Sequence, residues 1–149
     1  MSIKSDTFEK KSRGLKIVNH KLSRREEVLR FILDNLDEKS IIVSTTGKTS
    51  REIFEIREKN RQSHIQDFLT VGSMGHCSSI ALGIAITKPD RNVVCIDGDG
   101  ALIMHMSFLS TVGGLKPKNF FHILINNQAH ESVGGQATSA RFIDFQKLV

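Results

Sequence analysis

Asn92-Val-Val-Cys-Ile-Asp97 is a short, almost unbroken β-branched run that ends on Gly98-Asp-Gly100. It is too short for a buried helix and lacks the alternation of a strand with one wet face, so it reads as a strand covered on both sides. Two more runs behave alike: Ile41-Ile-Val-Ser44 leads into Thr45-Thr-Gly-Lys-Thr49, and Phe120-Phe-His-Ile-Leu-Ile125 leads into Asn126-Asn127. Phe68-Leu-Thr-Val71, meeting Gly72-Ser-Met-Gly75, is a fourth. Helical patterns fall between them, and strands alternating with helices argue for an α/β fold: a doubly wound, mostly parallel sheet with helices on both faces. In such sheets ligands bind beyond the carboxyl ends of the strands. The loops 45–49, 72–76, 98–101 and 126–135 all belong at that end, so the site is expected there.

The helices are read from caps and periodicity. Ser23-Arg-Arg-Glu26 fits a capping box, with Val28, Leu29, Ile32, Leu33 and Leu36 following at helical spacing, which predicts a first helix of about 14 residues. Thr49-Ser-Arg-Glu52 offers a second box, opening a charged helix towards Asn60. A helix rich in small residues is expected from Cys77 to Thr87 and is broken by Lys88-Pro-Asp-Arg91. Another is expected from Leu102 to Val112, ended by Gly113-Gly114 and Pro117.

Charge narrows the possible partners. The chain of 149 residues carries a net charge of +5, and residues 1–30 account for all of it, with nine Lys or Arg against four acids. The rest is balanced, so residues 1–22 read as a basic leader or linker and residues 23–149 as the folded domain. With no Trp, no Tyr and no basic stripe in the folded part, there is no platform for nucleic acid. The apolar stretches are too short to span a membrane and the polar N-terminus is not a secretory signal, so a cytoplasmic setting is expected. Cys77 and Cys95 belong to no Cys-x-x-Cys pair and to no zinc-finger spacing, and read as buried free thiols.

Two phosphate motifs fail on inspection. Gly47-Lys-Thr49 matches the end of a P-loop, but the Gly required five residues earlier is Ile42. Gly98-Asp-Gly100 matches the start of a dinucleotide fingerprint, but its third Gly would fall at Ile103. An Asp between two glycines also opposes a pyrophosphate unless a cation stands between them. Asp99 is a hard-oxygen ligand at a strand end, and Asn127, 28 residues on, is a second after the next strand. Two such ligands and a backbone carbonyl would leave open positions on Mg²⁺ for phosphate oxygens. Turn and cap duty is the ordinary use of Asp and Asn at strand ends, and spacing does not separate the two readings.

Gly98-Asp-Gly100 followed by Asn126-Asn127 resembles the thiamine-diphosphate motif of the decarboxylases and acetolactate synthases. Gly72-Ser-Met-Gly75 resembles that family's Gly-x-Met/Ile-Gly turn, and Thr46-Gly47 sits where the family has its first diphosphate-contacting loop. The resemblance covers residues 23–149. Within the family, STTGKTSRE, VGSMGH, IDGDGA and above all Asn126-Asn-Gln-Ala-His-Glu-Ser-Val-Gly-Gly-Gln136 look like the phosphonopyruvate decarboxylases, with the sulfopyruvate decarboxylases as the nearest competitor. An acetolactate-synthase-like carboligase is the third reading, and the 126–136 loop argues against it.

The resemblance implies thiamine diphosphate and Mg²⁺ as cofactors, a small 2-oxo acid as substrate, and removal of CO₂ from 3-phosphonopyruvate to give phosphonoacetaldehyde on a route to phosphonates. The cofactor takes up the electrons left when CO₂ departs. It also implies Asp99, Asn127 and the Ala129 carbonyl as Mg²⁺ ligands. Thr46, Gly47, Lys48, Gly98, Gly100 and Ala101 would lie along the diphosphate. Gly72 and Ser73 would face the aminopyrimidine, where Met74 would wedge the cofactor into its bent form. His130 and Glu131 would face the substrate, ahead of His76 and His105; the Met104 and Met106 pair reads as helix packing.

Two departures stand out. Gln128 occupies a position where relatives commonly have Gly. The family also needs a pyrimidine-binding domain that supplies a Glu to the cofactor ring, and relatives continue beyond the position of Val149. The expected picture is therefore a C-terminally incomplete diphosphate-binding domain working in an oligomer with a pyrimidine-binding subunit, or else a truncated remnant without catalysis.

Overall fold

The computed structural model describes residues 24–148; the basic leader and the Ser23 cap lie outside them. The order of elements is α1 (Arg25–Asp34), β1 (Ile41–Ser44), α2 (Lys48–Lys59), β2 (Asp67–Leu69), α3 (Cys77–Thr87), β3 (Val93–Gly98), α4 (Asp99–Met104), α5 (Phe108–Leu115) and β4 (Phe120–Ile125). A two-residue ribbon, β5 (Ala129–His130) with β6 (Gln136–Ala137), and short 3₁₀ turns follow. The main sheet has the order β2-β1-β3-β4 and every pairing is parallel.

Alternation along the strands sorts the core into two layers. Ile42, Val94 and Ile96 face Leu29 and Ile32 of α1 and Ile53 and Ile56 of α2. Val43, Val93 and Cys95 face Cys77, Ala81 and Ala85 of α3 on the opposite side. Helices cover both faces, as the uninterrupted β-branched runs require. Burying an Ile or Leu of this core contributes about 1.5–3 kcal/mol, so Leu29, Ile53 and Ile96, none of them accessible, fix α1 and α2 to the sheet.

The chain leaves β1 for β2 on one side, then returns across the sheet to β3 on the other. The loops after β1 and β3 therefore diverge and open a crevice between them, the position at which ligands enter folds of this kind.

Several boundaries differ from the sequence reading. Helix α1 has 10 residues and starts at Arg25, with the Glu27 carboxylate accepting from the Arg24 amide at 3.0 Å. Leu36 lies past its end yet still packs on the core. Helix α2 begins at Lys48, so Thr49 is inside it and its N-cap is Gly47, at φ +97. The Ser50 hydroxyl donates instead to Thr45 O at 2.7 Å, pinning the loop after β1. Strand β2 is shifted back by a residue: Thr70 stays tied to β1, its amide and hydroxyl both donating to Ser44 O at 3.3 and 2.6 Å, while Val71 is exposed.

The helix expected over Leu102–Val112 is two. Asp99 already opens α4, and the chain breaks at His105 before restarting at Phe108. The break delivers Phe108 into the core against the rings of Phe120 and His122, at 5.9 and 5.7 Å between centroids. Gly113 and Gly114 lie within α5, which ends at Lys116 in the left-handed region.

Candidate functional site

An open crevice lies at the carboxyl ends of β1, β3 and β4. Its walls include Thr46, Lys48, Met74, Gly98, Asp99, Gly100, Ala101, Asn127, Ala129, His130 and Glu131, so four separate stretches of chain converge as expected. Gly72 and Ser73 are exposed outside the wall. They are tied to it nonetheless, because the Gly72 amide donates to Thr46 Oγ1 at 3.0 Å.

Asp99 is the chemical centre of the crevice. It is 2% exposed, and burial pushes its carboxyl above the ordinary value although Thr138, its own amide and those of Gly100 and Asn127 hydrogen-bond to it and work the other way. Thr138 Oγ1 donates to Asp99 Oδ2 at 2.5 Å. A buried carboxylate whose own hydrogen bonds do not compensate for desolvation is one that a cation would stabilise.

Asn127 comes off β4 in a tight turn in which its Oδ1 accepts from the Ala129 amide at 3.1 Å. Gln128 at the centre of that turn has φ +59, the region glycine adopts most easily, and Thr138 donates its amide to Gln128 O at 3.0 Å. The Asn126 Oδ1 and Thr45 Oγ1 atoms nearby are buried and have no partner within the protein. Asp99, Asn127 and the Ala129 carbonyl form a donor set of hard oxygens alone, which fits Mg²⁺ in chemistry.

Close approaches leave room for a ligand by excluding side chains. A Cβ at Gly100 would lie 2.5 Å from His130 Cε1, so glycine is what lets His130 fold over the start of α4. A Cβ at Gly47 would lie 3.0 Å from Ser132 Cβ, which brings the 130–133 turn against the loop after β1.

The charged wall is a network. Arg25 Nε and Nη2 donate to the two oxygens of Glu52 at 2.8 and 2.5 Å, and Nη1 donates to Glu131 Oε2 at 2.6 Å. Lys48 Nζ lies 3.7 Å from the same Glu131 oxygen and is half exposed. Burial would lower the Arg25 value, but its two carboxylate partners prevail and hold the guanidinium firmly charged. Glu131 thus joins the loop to α1 and α2, while Lys48 is the accessible cation at the mouth of the crevice.

Arg25, Thr138 and Ser132 were not singled out in the sequence. Arg25 was counted within the basic N-terminal charge, and Thr138 stands 39 residues from its partner, with no local pattern to mark it.

A family model described as "Thiamine pyrophosphate enzyme, C-terminal TPP binding domain" matches residues 45–147. The chain belongs to that family. It is 40% identical over 115 residues to the sulfopyruvate decarboxylase subunit beta of Methanocaldococcus jannaschii, covering 77% of this chain and 58% of the relative. It is 38% identical over 120 residues to the phosphonopyruvate decarboxylase of Streptomyces viridochromogenes, covering 80% of this chain and 29% of the relative. The subunit beta of Methanococcus maripaludis is 32% identical over 124 residues, 83% of this chain and 63% of the relative. The chain thus spans less than two thirds of these relatives. Both resemblances read from the 126–136 loop are therefore present among its relatives, at nearly equal identity. No helix among the described residues is long and apolar enough to cross a membrane.

Proposed function

We propose that this chain supplies the diphosphate- and Mg²⁺-binding half of a thiamine-diphosphate-dependent decarboxylase. Its substrate is a 2-oxo acid with a second, distal anion, 3-phosphonopyruvate in the first instance, and its products are phosphonoacetaldehyde and CO₂. The pyrimidine-binding half comes from another polypeptide. The observation that supports this reading is the desolvated Asp99 carboxylate, buried at the strand-order switch beside Asn127 and Ala129.

Asp99, Asn127 and the Ala129 carbonyl would hold Mg²⁺, which joins the diphosphate to a carboxylate that would otherwise repel it. Lys48 would neutralise the outer phosphate charge. Thr138 fixes Oδ2 of Asp99 and so orients the carboxylate towards the cation. Thiamine diphosphate, when bound, supplies the electron sink that lets CO₂ leave. Met74 closes the wall beside it, and the ion pairs of Arg25 keep the 129–133 loop against α2. His130, held over Gly100, would move a proton at the reacting end.

The second reading is a sulfopyruvate decarboxylase of beta-subunit type. It is favoured by the subunit beta proteins among the relatives, one of them 40% identical. Chain mixed with a pyrimidine-domain polypeptide, thiamine diphosphate and Mg²⁺ should release CO₂ from phosphonopyruvate. Faster release from sulfopyruvate would select the second reading. No release from either acid, in a mixture where the two polypeptides demonstrably associate and bind the cofactor, would defeat both.

A further inference from the structure

Cys95 and Asp97 lie two residues apart on β3 and project from the same face of the sheet, towards α3. His122 is the register partner of Cys95 on β4, and Cys77 is the first residue of α3, laid over that face. The fold therefore brings three potential metal ligands together, with His122 beside one of them, and none of the four lines the diphosphate crevice.

Three of these donors are close enough to share one ion. Cys95 Sγ and Cys77 Sγ are 3.9 Å apart, and the ligand atoms of Cys77, Cys95 and Asp97 all lie within 4.8 Å of one another. His122 Nε2 is 3.3 Å from Asp97 Oδ2. Two thiolates at about 2.3 Å from a tetrahedral zinc stand roughly 3.8 Å apart, so the sulfurs already have the spacing of a metal-bound pair. Cys77, Cys95 and Asp97 are all buried at 1% exposure or less.

We propose that Cys77, Cys95 and Asp97 form a binding site for a thiophilic divalent cation of the Zn²⁺ type, with His122 holding the Asp97 carboxylate beside it. Two sulfurs and one carboxylate suit Zn²⁺ and disfavour Mg²⁺, which keeps this site chemically distinct from the oxygen set at Asp99. Contact with Cys77 and burial push the Cys95 thiol up, so a cation bound there displaces a firmly held proton. Asp97 Oδ1 accepts from the Gly98 amide at 2.8 Å, so the occupant also braces the residue that precedes Asp99. The zinc-finger spacing rule passes over this set because its ligands come from a helix start and a strand.

The test is to refold the full chain under a phosphine reductant with Zn²⁺, remove loose metal by dialysis, and measure zinc content and X-ray absorption. The expected result is one zinc per chain with a first shell of two sulfurs and two nitrogen or oxygen atoms. Cobalt loaded in the same way should show a thiolate-to-metal charge-transfer band, about halved in Cys77→Ser or Cys95→Ser, lost in the double variant and unchanged in Asp99→Asn. No retained zinc in reduced chain that has refolded, as judged by circular dichroism, would overturn the proposal. So would a shell of nitrogen and oxygen alone, and that measurement on unaltered chain does not depend on any variant folding.

Discussion

The Thr138 hydroxyl donates to Asp99 Oδ2 at 2.5 Å, a buried contact between residues 39 positions apart. It joins the segment after the β5–β6 ribbon to the first turn of α4, so the far end of the described chain sets the orientation of the carboxylate at the centre of the crevice. Removing that donor leaves a desolvated charge with fewer partners. Thr138→Val, which keeps the shape, is expected to destabilise the metal-free chain by about 1.5–3 kcal/mol, the range for a hydrogen bond to a charged group. Urea unfolding at neutral pH reads this out, with an unchanged midpoint counting against the role.

The raised carboxyl of Asp99 has a definite consequence for pH. The folded chain holds this proton more tightly than the unfolded chain, so this group's contribution to stability is greatest in acid. It declines as pH rises from the ordinary carboxylate range through the raised value. Asp99→Asn should flatten that decline in thermal melts of metal-free chain. Mg²⁺ at a hundredfold excess over its dissociation constant should raise the stability of the unaltered chain by about 2.7 kcal/mol and leave the Asn variant unmoved.

Arg25 is held by Glu52 through Nε and Nη2 together and by Glu131 through Nη1. Arg25→Ala removes the charge that two part-buried carboxylates share, and a loss of about 1.5–3 kcal/mol is expected. Arg25→Lys should recover only part of it, since an ammonium cannot reproduce the paired geometry. Faster amide hydrogen exchange in residues 129–133 would show that the loop has come loose; exchange confined to α1 would place the role of Arg25 elsewhere.

Gln128 at φ +59 carries backbone strain in the turn that presents Asn127 and Ala129. Gln128→Gly relieves a cost of about 1–2 kcal/mol in the folded chain while freeing the unfolded one by roughly 0.5–1 kcal/mol. The net expectation is a change of about 0–1.5 kcal/mol towards greater stability. A clear destabilisation in chemical denaturation would mean that the Gln128 side chain itself supports the turn.

The layered sheet was legible because its strands are buried on both faces and so appear as unbroken β-branched runs, and the crevice because each run ends on glycine or polar residues. Asp99 and Asn127 could be named from those ends. Helix starts were less legible: Thr49 resembles a cap in sequence, but the left-handed Gly47 already turns the chain and Thr49 is drawn inside. The break at His105 left no local mark, since it is set by Phe108 packing on Phe120 and His122. Thr138 and Arg25 escaped for the same reason, because their partners are brought to them by the fold.

The central claim is that the Asp99 crevice holds a diphosphate through Mg²⁺. Amide chemical shifts of ¹⁵N-labelled chain, followed while thiamine diphosphate is added with Mg²⁺ and again with a chelator, test it most directly. The account predicts saturable shifts at Lys48, Gly98 to Ala101 and Asn127 to Ala129 that require Mg²⁺ and vanish in Asp99→Asn. Shifts of equal size with chelator present, or saturation at amides elsewhere while these stay still, would contradict it.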